Sequence, residues 1–253
     1  MTGVFFSGTG NTKHCVEKFI KCFDTGKAAV PIESTDVRSR IAEDEFIVFG
    51  YPIYFSNIPK IVRGFILGNG DCFAGKKVFL LATMGLFSGD GAGCSARLLK
   101  KSGAQIVGGL HVKMPDCIGD KKLLKKPLEE NKRIVREADE KIRLAAQRLK
   151  DGNPAKDGLN PFDHMAGLFG QRLWFYGETA SYQKKPDIDR QKCTGCGLCV
   201  KLCPMKNLRL SNGKAVSGKK CTLCYRCFSR CPVRALTILG KEVFEQCLFE
   251  DYQ

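Results

Sequence analysis

Cys193, Cys196, Cys199 and Cys203 run directly into Pro204, and the same pattern returns as Cys221, Cys224, Cys227 and Cys231 before Pro232. Eight thiolates in two copies of C-x-x-C-x-x-C-x-x-x-C-P are suited to four-iron four-sulfur (4Fe-4S) clusters. Three closely spaced cysteines wrap one face of a cubane cluster, whereas the helical step and the proline turn the fourth away. The chemistry such a set supports is one-electron transfer. Zinc is the competing metal, because Cys-x-x-Cys also opens zinc ribbons and fingers. A closed zinc tetrahedron, however, gives no reason for the third cysteine, the fourth and the proline to occur twice. A disulfide framework fits less well, since tandem ligand runs in 253 residues without a secretory segment do not resemble a small secreted scaffold.

The double run resembles that of bacterial-type ferredoxins with two 4Fe-4S clusters. On that pattern Cys193, Cys196, Cys199 and Cys231 hold one cluster, and Cys221, Cys224, Cys227 and Cys203 hold the other.

A second constellation lies at the start of the chain. Ser7, Gly8, Thr9, Gly10, Asn11 and Thr12 stand between an apolar run and a helical one. Glycines let the backbone approach a phosphate, the Ser7, Thr9 and Thr12 hydroxyls donate to it, and the helix N-terminus adds a positive field. The Walker pattern fails for want of a lysine, and the dinucleotide pattern fails at Lys13. An ordinary strand-to-helix turn is the plain alternative. Two further loops leave the carboxyl ends of strands, one carrying Pro52, Ile53, Tyr54, Phe55 and Asn57, the other Thr83, Met84, Gly85, Phe87, Ser88 and Gly89. Ligands of open α/β sheets sit at such loops. Over about the first 150 residues the chain resembles the flavodoxin family. That resemblance implies FMN, with its phosphate on Ser7 to Thr12 and its ring between the two loops, Tyr54, Phe55 and Phe87 being candidates for stacking. Gly91, Gly93 and Asp116 mimic a dinucleotide fingerprint, but the glycines come too far after the strand for a tight phosphate turn.

These residues need positioning elements. Short apolar runs predict strands over Thr2–Phe6, Ala28–Ile32, Glu45–Gly50, Lys77–Thr83 and Gln105–Val112, too uniformly apolar to be exposed on either face. Helices are predicted over Thr12–Phe23, Pro59–Leu67, Ala92–Ser102 and Pro127–Lys150. Strands alternating with helices predict an α/β, flavodoxin-like five-stranded parallel sheet for residues 1–150. A connector over 151–186 precedes an α+β ferredoxin unit over 187–240, too small for a sizeable core and dependent on its clusters. The connector's apolar island, His164–Tyr176, is expected to pack between the domains. Residues 241–253 are read as a docking helix with Val243, Phe244, Cys247 and Leu248 on one face.

The formal charge of +15 falls to about +9 once two clusters and a phosphate are counted. Lysine pairs such as Lys121–Lys122 and Lys219–Lys220 suggest an acidic redox partner or an anionic small-molecule acceptor, although a solvated lysine surface explains them equally. Nucleic acid is disfavoured because no binding motif accompanies the charge, and no run is long and apolar enough for a membrane span. The expected location is a reducing cytoplasm. As a whole the chain resembles flavodoxin–ferredoxin fusion proteins, which implies electron transfer between clusters and FMN. A reductase acting on a quinone, an activated alkene or a tetrapyrrole is the other reading, with Tyr54, Ser88 and Asp90 as the nearest proton donors.

Overall fold

A computed structural model describes residues 1–23, 26–86, 91–160 and 182–253. Five parallel strands form the main sheet: β1 (Thr2–Phe5), β2 (Val30–Pro31), β3 (Phe46–Pro52), β4 (Lys77–Met84) and β5 (Gln105–Lys113). Their spatial order is β2-β1-β3-β4-β5, the flavodoxin-like arrangement. Helices α1 (Asn11–Lys21), α2 (Val37–Ala42), α3 (Lys60–Gly68), α4 (Gly91–Lys101) and α5 (Leu128–Lys150) make the crossovers and cover both faces.

Alternation along each strand builds two cores. Val4, Ile47, Phe49, Tyr51, Val78, Leu80 and Ala82 point to one face and meet α2, α3 and α4. Phe5, Val48, Phe79 and Leu81 point to the other, where Cys15, Val16 and Phe19 of α1 and Ala138, Ile142 and Ala145 of α5 close over them. Strand β2 is shorter than its sequence suggests. Pro31 has no N–H to give to a ladder, which confines it to an edge. Helix α2, six residues long, carries too little periodicity to be seen in the sequence. Beyond β5, Lys156 bridges to Gly109, so the start of the connector lies along the sheet edge. The island at 164–176 is outside the described residues.

The C-terminal unit pairs β6 (Asp187–Ile188) with β9 (Leu236–Thr237), and β7 (Leu208–Ser211) with β8 (Lys214–Ser217), each antiparallel. Short helices α6 (Leu198–Leu202) and α7 (Arg226–Ser229) carry the third cysteine of each run, Cys199 and Cys227. The sequence repeat is also a backbone repeat. Gly195 and Gly197 are left-handed at φ 75°, and their counterparts Leu223 and Tyr225 are left-handed at φ 59° and 57°.

Residues 241–253 do not form the expected helix. Only Phe249–Tyr252 make a single 3-10 turn, and the preceding segment is irregular. Its anchors are Cys247, Phe249 and Tyr252, while Phe244 stays exposed. The reason is tertiary hydrogen bonding: Phe244 and Glu245 amides donate to the Gly119 carbonyl, and the Phe249 amide donates to the Thr9 carbonyl. Those bonds take the backbone groups a helix would have used.

Candidate cofactor sites

Two small cavities occupy the C-terminal unit. The first has Cys193, Cys196, Cys199 and Cys231 on its wall; the second has Cys203, Cys221, Cys224 and Cys227. The fourth cysteine of each run thus faces the cavity of the other run. Short α6 and α7 produce this arrangement, because each carries one cysteine into its own cavity and ends just before the crossing one. Backbone amides point at sulfur throughout: Ala215 to Cys193 Sγ at 3.5 Å, Asn207 to Cys203 Sγ at 3.3 Å, Leu223 to Cys221 Sγ at 3.4 Å and Ala235 to Cys231 Sγ at 3.3 Å. Such N–H groups favour thiolate charge. The Ala215 amide in particular holds Cys193 below the usual thiol value. Burial works the other way deeper in, pushing Cys221 up to about 11 and Cys224 up to about 12. These thiols lose their protons when a metal takes them, which couples metal binding to pH. Thr222 Oγ1, on the wall of the second cavity, is buried without a partner and is available to a cluster sulfur. Among the described residues no three His, Cys, Asp or Glu side chains gather closely enough for a single metal ion. The thiols ring volumes instead.

A larger cleft, about 250 Å3, lies outside the carboxyl ends of β1, β3, β4 and β5. The reversal of strand order between β1 and β3 opens it. Ser7, Gly8, Thr9, Asn11 and Thr12 form one end, Pro52 to Phe55 and Thr83 to Gly85 the sides. Gly10 and Asn57 lie off the wall. Gly10, left-handed at φ 106°, is covered by Phe249, and the Asn57 side chain accepts from the Ile58 amide to close a turn. Phe87, Ser88, Gly89 and Asp90 are outside the described residues. Thr12 and Thr83 hydroxyls bond at 2.7 Å, and the Ser7 hydroxyl accepts from the Gly10 amide at 3.1 Å. Asn11 donates to the Pro115 carbonyl at 2.8 Å, leaving its Oδ1 buried with no partner, an acceptor awaiting a hydroxyl or N–H. Gly91, from the dinucleotide-like run, starts α4 and is packed by Ile53, which explains the glycine without a ligand.

Sequence reasoning missed part of this wall. Met114, Pro115, Asp116, Cys117 and Ile118 follow β5, and the rule that located the other loops applies to that strand end too. Asp116 lies beside Gly85, and burial raises its carboxyl above the usual range against amides of Ile118 and Cys117 that favour the charge. The other missed residues, Leu223, Cys224, Tyr225 and Leu239, come from the C-terminal unit. No local signal marks them, because they reach the cleft through domain docking.

That docking is close. A Cβ on Gly8 would stand 1.9 Å from the Cys224 carbonyl oxygen, so the glycine admits the other domain's backbone as well as any ligand. Arg226 donates to the Ser7 carbonyl at 2.8 Å and pairs with Glu33 at 2.6 Å. Asp120, buried, accepts from the Tyr225 hydroxyl at 2.8 Å and from the Ile238 and Leu239 amides at 2.6 and 2.9 Å. Left-handed Leu223 and Tyr225 cost about 1–2 kcal/mol each in backbone strain. Their side chains offset it by packing with Phe228 and Ile238 against Tyr54, Phe55 and Ile118. The Phe55 ring also stacks on Tyr182.

Residues 192–236 match the family model described as 4Fe-4S dicluster domain. Ferredoxin-2 of Desulfomicrobium norvegicum is 55% identical over 29 residues, which are 12% of this chain and 49% of that protein, so the match spans about half of the curated relative. The flavodoxin of Megasphaera elsdenii is 22% identical, with 58% of this chain and 99% of that one covered at a TM-score of 0.42. A WrbA-like flavodoxin from Agrobacterium tumefaciens is 16% identical, with 59% and 94% covered at 0.45. The chain therefore joins a segment similar to 4Fe-4S dicluster domains to a parallel α/β sheet of flavodoxin-like strand order. No helix among the described residues is long and apolar enough to cross a membrane.

Proposed function

We propose that the chain is an electron-transfer iron-sulfur flavoprotein, with two 4Fe-4S clusters on the two cysteine quartets and FMN in the cleft, exchanging electrons with a redox partner protein. One observation carries the reading: Cys224 stands on the wall of the second cysteine cavity and on the wall of the cleft. A group in either space is one side chain from the other. The quartet of Cys193, Cys196, Cys199 and Cys231 is then the distal one. FMN, when bound, supplies a carrier of one or two electrons, matched to clusters that exchange one each.

The chain's own residues support the assignment. First-turn amides of α1, which no side chain caps, are donors for a phosphate, and the orphaned acceptor Asn11 Oδ1 beside them suits a hydroxyl of the bound group. Apolar side chains of Ile53, Tyr54, Phe55 and Met84 shape the middle of the cleft for a flat ring. Asp120, Arg226 and Gly8 fix the distance between the domains, which an electron relay needs.

A second reading, reduction of a small organic acceptor in the cleft, is favoured by Asp116. Its carboxyl, raised by burial, is able to hold a proton in a cleft that opens to solvent. Anaerobic purification followed by iron, sulfide and flavin analysis tests the composition, with about eight iron and eight sulfide expected per chain and one FMN. Reduced protein is then offered small acceptors alone. Slow reoxidation supports the carrier; rapid multiple turnover with a quinone or an alkene overturns it in favour of the reductase, and absence of flavin overturns both.

A further inference from the structure

The rim of the distal cysteine cavity differs from the rest of the C-terminal unit. Cys196 is exposed, whereas the other seven cysteines of the two runs are buried or half-buried. Beside it Leu198 and Leu210 are exposed apolar side chains, 36% and 47% accessible, and Leu210 lies against Gly197. Residues 187–240 hold eleven Lys and Arg against two Asp, Asp187 and Asp189. Both aspartates are already engaged, by Lys185 and Lys192. Arg190, Lys201 and Arg234 have no carboxylate within ion-pair distance among the described residues, and Lys214 reaches across to the Cys193 carbonyl at 2.5 Å. Arg190 and Lys214 act electrostatically on Cys193, Lys201 follows Cys199 on α6, and Arg234 stands between the wall residues Val233 and Ala235. Exposed apolar side chains and unneutralised cations thus share the segments that wall this cavity, a composition that suits a transient protein interface with opposite charge on the other side.

Resting on the two-cluster, FMN reading above, we propose that this rim is the docking surface for an acidic one-electron carrier protein. The exchange is balanced simply. One electron passes between the carrier and the group held by Cys193, Cys196, Cys199 and Cys231, so one is oxidised as the other is reduced, and no bond forms or breaks. Two encounters fill a two-electron acceptor. The partner's charge follows from the rim, since a basic carrier would meet Arg190, Lys201 and Arg234 unpaired. The competing basic patch is Lys121 and Lys122 with exposed Leu123, on the sheet domain.

The test uses full-length, cluster-loaded protein and stopped-flow reduction by two donors: a strongly acidic reduced two-cluster ferredoxin as the probe, and photoreduced deazaflavin, which needs no docking surface. Variants are Arg190→Glu with Lys201→Glu, the milder Arg190→Gln with Lys201→Gln, and Lys121→Glu with Lys122→Glu. Steering alters association tenfold or more. The Glu pair at the rim is therefore expected to slow ferredoxin reduction at least about tenfold at low salt, the Gln pair less, with the gap closing at high salt. Reduction by deazaflavin and iron content stay at wild-type values in both. Equal ferredoxin rates in all variants, or a loss confined to the Lys121 and Lys122 variant, overturn the docking site. Failure of deazaflavin to reduce the wild-type flavin instead overturns the underlying relay, so the two failures are distinguishable.

Discussion

Replacing Asp120 by alanine strips three donors, two of them buried, of their acceptor at once. Oδ1 accepts from the Tyr225 hydroxyl at 2.8 Å, and Oδ2 accepts from the Ile238 and Leu239 amides at 2.6 and 2.9 Å. Asp120 itself is 1% exposed, so solvent does not take over without some opening. A buried donor left unsatisfied costs about 1–3 kcal/mol. Water entering the space left by the carboxylate recovers part of that, and we expect Asp120→Ala to weaken the clamp by about 3–5 kcal/mol. Asp120→Asn separates geometry from charge. Its carbonyl oxygen still serves both amides, while its NH2 donates to a Tyr225 hydroxyl that has turned to accept, so the loss falls to about 1 kcal/mol. Native-state hydrogen exchange at the Ile238 and Leu239 amides reads the local opening directly. At 1.4 kcal/mol per factor of ten, alanine raises exchange by about a hundred- to several thousandfold and asparagine by less than about tenfold. Iron content measured on the same samples shows whether the cysteine cavities survive. Wild-type protection in Asp120→Ala, or an asparagine variant as damaged as the alanine one, would show that these three bonds do not hold the domains together.

Crossing of the ligands makes Cys231→Ala and Cys203→Ala informative: each is expected to remove about half of the iron, and electron paramagnetic resonance should show Cys231→Ala losing the signal also lost in Cys196→Ala. If Cys231→Ala instead shares its lost signal with Cys224→Ala, the crossing is wrong. Phe249→Ala deletes a buried ring that stacks on His14 at 4.2 Å, beside the loop whose Gly10 the Phe249 Cβ covers. Large-to-small core changes of this kind cost about 3–5 kcal/mol, and the expected readouts are a lower denaturation midpoint and weaker flavin retention on gel filtration; unchanged values would remove the tail from the site's support. Asp44 gives the acid limb of stability: burial opposes its charge, but bonds from Lys27, Thr2 and the Met1 amino group win and hold the carboxyl well below the usual range. A depressed folded value stabilises the native state above the ordinary carboxylate range, and that contribution is lost as pH falls through the folded value. Asp44→Asn should therefore be less stable than wild type near neutrality and converge with it in strong acid, which denaturation at several pH values will check; parallel curves would refute it.

What the residues determined alone was the chemistry that depends on local spacing. Two cysteine runs fixed which thiols could meet around a cluster, because a cubane's reach is set by a few residues of backbone. Alternating apolar strands and amphipathic helices fixed a parallel sheet, and the carboxyl ends of its strands fixed where a ligand would lie. The tail shows where this logic stops: Val243, Phe244, Cys247 and Leu248 have helical spacing, yet the amides of Phe244, Glu245 and Phe249 find partners on Gly119 and Thr9, residues more than a hundred positions earlier in the chain. Gly8 makes the same point, having been read as making room for a phosphate although the nearest atom to its missing side chain is the Cys224 carbonyl oxygen. Leu223 and Tyr225, in backbone positions where the first repeat has glycine, make sense only against the other domain's surface. Only the tertiary structure decided which cysteine quartet adjoins the cleft. Docking is a sum of weak contacts between residues far apart in sequence, and no window of the chain contains both sides of it.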